Sequence, residues 1–101
     1  MFNKPRLNQA IVLNKKHLNI EDIEVTFELV NPSEFNFNAG QFITLKITDT
    51  AYRAYSISSP ANNNKQIEII VSAGHEGVGS NYIKNLRIGD SVTFIGPSGR
   101  F

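Results

Sequence analysis

Ile23-Glu24-Val25-Thr26-Phe27-Glu28-Leu29 decides the fold class. Apolar and polar residues alternate through all seven positions, and successive side chains of a strand point to opposite faces. The stretch is therefore a strand with one buried and one wet face. Asn31-Pro32-Ser33 ends it, because Pro cannot donate to a ladder. The same alternation recurs outward from this point. Ile43, Leu45 and Ile47 alternate with Phe42, Thr44 and Lys46 after a turn at Ala39-Gly40. Ile67, Ile69 and Val71 alternate with Glu68, Ile70 and Ser72. Short strands are also predicted over 53–58, ended by Ser59-Pro60 and the Asn62-Asn63-Asn64 turn, and over 91–95; residues 8–18 form a weaker candidate. One segment reads as a helix: Ser80 suits an N-cap, Tyr82, Ile83 and Leu86 share a face, and Gly89 followed by Asp90 supplies a stop. Ile, Val, Thr, Phe and Tyr make up 33 of the 101 residues, the types that fit a pleated surface. About six short strands and one short helix suggest a small antiparallel barrel or sandwich. Such a barrel fills its interior with side chains, so a ligand is expected on the outside.

Composition excludes several functions. The chain has the length of one domain. Net charge is +1 with both signs scattered, and no basic run exceeds two residues, unlike a nucleic-acid binder. Cysteine is absent, which removes disulfides, cysteine-ligated zinc, iron–sulfur clusters and thiol catalysis. His17 and His75 lie far apart without ligand-like spacing, so no metal site is expected; His17 reads as a surface strand residue. Wholly apolar runs reach four residues at most, against the ~20 of a membrane span, and no export-type apolar core follows the N-terminus. A soluble cytoplasmic protein without nucleic-acid or membrane partners is the expectation. No Ser–His–Asp or paired-carboxylate arrangement points to hydrolysis.

Three clusters carry possible chemistry. In Arg53-Ala54-Tyr55-Ser56, a regular strand turns Arg53 and Tyr55 to one face. A guanidinium beside an aromatic ring suits a planar anionic ligand, with bidentate contact to phosphate and a stacking face. Ser56 points the other way unless the strand bends or acts through its backbone N–H. Spacing alone favours an ordinary edge strand with surface residues. Gly74-His75-Glu76-Gly77-Val78-Gly79-Ser80 runs into the helix. Glycines let backbone approach a ligand, and a helix N-terminus offers free N–H groups to an anion. A plain strand-to-helix turn reads the same way; His75 is expected in solvent and Glu76 turned away from any anion. The cluster is neither a Walker A loop nor a Rossmann fingerprint. Gly96-Pro97-Ser98-Gly99-Arg100-Phe101 marks a turn after the last strand, with an aromatic anchor.

Taken in order, Ala39-Gly40-Gln41-Phe42, Arg53-Ala54-Tyr55-Ser56, Gly77-Val78-Gly79-Ser80, Leu86-Arg87-Ile88-Gly89-Asp90 and Gly96-Pro97-Ser98-Gly99 resemble the flavin-binding domain of the ferredoxin–NADP reductase superfamily. The resemblance covers roughly residues 8 to 101. It implies an all-β fold: a six-stranded antiparallel Greek-key barrel with one short capping helix. Residues 1–101 are then a single FAD-binding barrel domain with a core over about 8–96. The resemblance further implies that Arg53 pairs with the flavin phosphates and that Tyr55 lies against the isoalloxazine. Ser56 would hydrogen-bond near N5, as the residue closest to the redox step. Backbone around Val71 and Ser72 would contact the ribityl or adenosine part. Gly77, Val78 and Ser80 would hold the pyrophosphate.

The implied function is that of the flavin (FAD) domain of an NAD(P)H-dependent oxidoreductase. It would mediate electron transfer to an acceptor such as ferredoxin, flavodoxin or an oxygenase. NAD(P)H would enter only through a nicotinamide-binding domain or subunit, which these residues do not contain, so the chain alone is not expected to be a complete enzyme. One departure from the family pattern concerns phosphate binding. Ser72-Ala73 stand where a basic residue often follows the strand, which leaves FMN open beside FAD. Two other readings remain: a stand-alone barrel acting as an interaction module without flavin, with self-association through the uncovered face, and an oligonucleotide-binding barrel, which the near-neutral charge disfavours. Arg53→Ala is expected to weaken FAD binding far more than folding. Parallel FAD titrations of both proteins check this, and equal affinities would refute the role.

Overall fold

In the computed structural model, which describes residues 7–38, 40–74 and 77–99, the alternating segments form β1 (Asn8–His17), β2 (Asp22–Asn31), β3 (Phe42–Lys46), β4 (Tyr52–Ser56), β5 (Gln66–Ser72) and β6 (Ser91–Ser98), with α1 (Val78–Asn85) between β5 and β6. They build one antiparallel sheet in the order β4-β3-β6-β1-β2-β5. The β1–β2 hairpin is turned by Asn19, whose Oδ1 accepts the N–H groups of Glu21 (2.8 Å) and Asp22 (2.9 Å). The sheet curls until its two outer strands touch beyond the end of β4. There Ile57 bridges to Ile69, the Ser58 N–H donates to Glu68 O at 2.8 Å, and the Glu68 N–H donates to Ser59 Oγ at 3.0 Å. The all-β, six-stranded expectation therefore holds, although β4 and β5 meet at this one place rather than along a full ladder.

The curled sheet encloses a side-chain core. Ile23, Val25, Phe27 and Leu29 all point inward, as do Ile43 and Leu45 and, from β5, Ile67, Ile69 and Val71. Phe27 and Phe94 are fully buried. Phe35, from the loop after β2, meets Phe94 edge-on at 6.0 Å between ring centroids. Edge-to-face packing suits the ring quadrupoles. The interior is filled, which leaves the outside for a ligand.

Element ends differ from the sequence reading in four places, each for a tertiary reason. The strand expected over 53–58 is laddered over Tyr52–Ser56, because β3 begins at Phe42 opposite Ser56, and Ile57 beyond it bridges to β5. The strand expected over 91–95 continues to Ser98. A bulge opposite Phe42–Thr44 absorbs Gly96, and pairing resumes at Phe42–Ser98. Gly96 has φ 118°, and a Cβ there would lie 3.0 Å from Phe42 O, so only glycine fits. Ser80 is not the N-cap: the helix begins at Val78 after Gly77, and Ser80 lies inside its first turn. Nor does Gly89 end the helix. It stops at Asn85, and Leu86 is already extended with its side chain buried. The following turn is tied to β1 instead: the Gly89 N–H donates to Val12 O (2.8 Å) and the Val12 N–H to Asp90 O (2.9 Å).

An eight-residue helix is marginal by itself. α1 is held by burial of Ile83 and Leu86 and by Lys15, whose Nζ donates to the carbonyls of Lys84 (2.7 Å) and Leu86 (3.0 Å). The described residues include no helix long and apolar enough to cross a membrane.

Phe27→Ala is expected to cost about 3–5 kcal/mol, the usual loss for a buried aromatic that leaves a cavity. Urea unfolding measures it, and a loss below about 1 kcal/mol would mean that the core does not close around this ring.

Candidate functional site

Backbone alternation builds the site first. In an antiparallel strand, alternate residues turn both backbone groups to one neighbour and the intervening residues turn theirs to the other side. The Ile57 N–H donates to Gln41 O and the Ala51 N–H to Thr48 O, both toward β3. Ala54 and Ser56, out of step with them, turn their N–H and C=O away from β3. On β5, Glu68 bonds to Ser58 and Ser59, whereas Ala73 donates to Glu21 O on the β2 side (2.7 Å). Ile70 and Ser72 therefore turn their backbone groups away from β2. Among the described residues β4 and β5 are bridged only at Ile57–Ile69, and beyond that bridge lies a gap edged by the backbone of Ala54 on one side and of Ser72 on the other.

The side chains of β4 arrange themselves around that gap. Arg53 pairs with Leu45 and Tyr55 with Ile43, so both lie on the inward face of the sheet. Here that face is covered by the start of α1 rather than by core. A Cβ on Gly79 would lie 2.8 Å from Tyr55 Oη and 3.1 Å from Arg53 Cγ. The missing side chain lets the first helical turn rest directly on Arg53 and Tyr55. The first two sequence clusters are thus one site. Arg53 remains exposed and donates from Nη1 to Tyr52 O at 2.8 Å, while Tyr55 is half-buried.

Electrostatics favour an anion at this place. Among the described residues, Gly77 offers no side-chain cap and no acidic residue occupies the first turn of α1, so nothing there offsets the positive end of the helix. Burial pushes the Tyr55 phenol above the usual tyrosine range, with the Arg53 charge pulling weakly the other way. Tyr82, half-buried on α1, is also raised by burial and then by the nearby Asp90 and Tyr55. Both phenols stay neutral at pH 7 and keep an O–H to donate.

The other expected residues take distinct positions. Ser56 pairs with Phe42 on the outer face, so its Oγ points away from Tyr55 while its backbone faces the gap. Val71 is buried and pairs with Ile23; Ser72, at the end of β5, is exposed and pairs with Asp22. Gly77 and Val78 are exposed at the helix start. His75 and Glu76 lie outside the described residues, as do Ala39, Arg100 and Phe101. The third cluster does not join the site. Gly96 and Gly99 serve packing against Phe42, and Gln41 donates from Nε2 to Gly99 O at 2.8 Å. Two contributors escaped the sequence reading. Ile70 became visible only once β5 proved to be an outer strand, and Tyr82 only once α1 was seen to bring it near Tyr55. Among the described residues no group of three His, Cys, Asp or Glu side chains could hold a metal ion.

The oxidoreductase FAD-binding domain family matches residues 9–101. A ferredoxin–NADP reductase B of Sorangium cellulosum is 32% identical over 81 residues, a match covering 77% of this chain and 33% of the relative. A stachydrine N-demethylase reductase subunit of Rhizobium meliloti is 36% identical over 83 residues, covering 76% of this chain and 24% of the relative. The chain thus spans about a third or less of the length of these curated relatives. A solved ferredoxin NADP+ reductase of Neisseria gonorrhoeae with bound FAD and NADP shares the fold, with a TM-score of 0.81 at 21% identity over 96% of this chain and 40% of that one.

Gly79→Ala is expected to lower stability, although alanine alone would add about 1 kcal/mol of helix propensity. Adding Tyr55→Phe removes the oxygen in the way and should recover part of the loss. A double-mutant cycle by denaturant unfolding reads the coupling, and strict additivity would show that the two residues do not touch.

Proposed function

The chain belongs to the oxidoreductase FAD-binding domain family, and from that membership we propose that it holds FAD along the gap between β4 and β5, with the pyrophosphate at the start of α1. The observation that carries this reading is the contact of Gly79 with Arg53 and Tyr55. It brings a cation, a neutral aromatic ring and an uncapped helix N-terminus to one spot. Those are the needs of a molecule that joins a planar ring to a doubly charged linker. The cradle fits the cofactor on a second count, since backbone edges line both sides of the gap.

Arg53 pairs with the pyrophosphate and screens its charge. The N–H groups at Gly77, Val78 and Ser80 bind the same phosphates from the helix end. Tyr55 lies against the isoalloxazine and donates its O–H to the flavin's polar chain. Ser56 acts at the flavin edge through the backbone N–H that faces the gap, a donor that steadies charge arriving near N5. Ser72 offers its backbone to the ribityl or adenosine part; Val71, adjacent to it, sets the edge by anchoring β5 in the core. Bound flavin accepts two electrons as hydride and releases them singly or in pairs. The protein's share is to orient the ring, exclude water from one face and hold the phosphate charge.

For the whole protein, we infer an NAD(P)H-dependent reductase in which a nicotinamide-binding domain or subunit completes the enzyme. Ile70 and Val78 support this reading, because both leave apolar side chains 45% exposed beside the gap, where a second domain would cover them. The relatives named above are reductases, which supports an acceptor such as ferredoxin, flavodoxin or an oxygenase.

Colour tests the cofactor directly. The purified chain mixed with excess FAD and passed through a desalting column should emerge yellow, and FMN should be retained less well for want of the adenosine contacts. A colourless protein that quenches the fluorescence of neither flavin would overturn the reading and favour a barrel that serves as an interaction module.

A further inference from the structure

Lys15 belongs to β1, far from Arg53 and Tyr55 in sequence, and no flavin role attaches to it so far. Its Nζ nevertheless makes two hydrogen bonds to the end of α1, at 2.7 Å to Lys84 O and 3.0 Å to Leu86 O. The two ends of this helix are treated differently. The C-terminal carbonyls receive a cation, while the N-terminal N–H groups have neither a side-chain cap at Gly77 nor an acidic residue in the first turn. A cation at the C-terminus compensates the negative end of the helix dipole, and the uncompensated positive end stays available to an anion. Eight residues at 1.5 Å rise make α1 about 12 Å long, so Lys15 cannot reach a phosphate bound at the other end.

We propose that Lys15 is a positioning residue for the phosphate-binding end of α1: it clamps the helix C-terminus onto β1 and so fixes where the N–H groups of Val78, Gly79 and Ser80 stand. The inference rests on the pyrophosphate site proposed above. The contacts around the helix support it. α1 is otherwise held on this side by apolar burial of Ile83 and Leu86, which resists separation but not sliding or rotation, and by the 87–90 turn bonded to Val12, which anchors the chain only after the helix has ended. Lys15 is the contact that is directional and lies on the last helical turn. Lys84 and Arg87 are themselves exposed, and the clamp is made to backbone carbonyls. Apolar burial and the Val12 bonds keep the helix formed without the ammonium, so its loss is expected to misplace the helix rather than melt it.

The test uses the full chain as the unaltered protein, Lys15→Met and Lys15→Arg. Methionine keeps the apolar stem and loses the donors; arginine keeps a charged donor. FAD titration is expected to show affinity lowered about tenfold in Lys15→Met and restored to within about threefold in Lys15→Arg, the scale of a partly buried charge at a helix end. The second measurement needs no flavin. Inorganic pyrophosphate, added to 15N-labelled protein, should move the amide resonances of Val78, Gly79 and Ser80, and in Lys15→Met it should need about tenfold more. Ligand-free melting temperatures should stay close among the three proteins, which a purely structural role would not allow. Unchanged FAD and pyrophosphate responses in Lys15→Met would overturn the proposal. So would a loss that tracks a large fall in melting temperature. Failure of the unaltered chain to bind FAD while pyrophosphate still moves those amides would overturn the flavin reading alone. The Lys15 comparison would then be read from pyrophosphate.

Discussion

A sheet that curls without fully closing is the constraint on which the rest of this structure depends. β4 and β5 are its outer strands, and they touch at Ile57–Ile69 but part on the far side of it. Unpaired strand edges are ordinarily a liability, because a row of free N–H and C=O groups recruits other strands. Here the edges flank a gap beside which the first turn of α1 rests on Arg53 and Tyr55 of β4. The same opening leaves the outward backbone groups of Ala54 and Ser72 beyond the reach of the Ile57–Ile69 bridge.

The helix is the second half of this arrangement. Its sequence barely specifies it: eight residues, two of them glycine or serine, and no side-chain cap. It exists because Ile83 and Leu86 are buried and because the next turn is hydrogen-bonded to Val12, while Lys15 ties its end to β1 through Lys84 O and Leu86 O. All of these supports act at or beyond its middle. The first turn carries little support of its own beyond its seat on Arg53 and Tyr55.

The five sequence elements that revealed the family divide into two kinds. Arg53-Ala54-Tyr55-Ser56 and Gly77-Val78-Gly79-Ser80 meet where Gly79 rests on Arg53 and Tyr55, at the candidate site. The other three hold the scaffold. Gln41 ties the loop at Asn38 to Gly99, Gly96 admits a bulge against Phe42, and Asp90 accepts the Arg87 N–H at 2.8 Å to close the turn after the helix. Both kinds are equally visible in sequence, since close backbone approach and phosphate binding place similar demands on glycine. Only their location separates them.

Strand identity and facing were legible because a two-residue period needs no partner to be read. Ile23 to Leu29, Ile43 to Leu45 and Ile67 to Val71 turned their apolar residues inward as the alternation required. The pairing of Arg53 with Tyr55 on one face was legible for the same reason. The end of the helix was not, because Leu86 and Gly89 are governed by contacts with β1 that lie far away along the chain. The sequence by itself determined the strands, the family and the residue types of the site. Tertiary structure alone decided that β4 and β5 would be outer strands, that Arg53 and Tyr55 would sit beneath α1 instead of in the core, and that Lys15 would reach the end of that helix. The physical reason is that strand order and backbone satisfaction are set by which edges remain unpaired after the sheet has closed, and no local period encodes that.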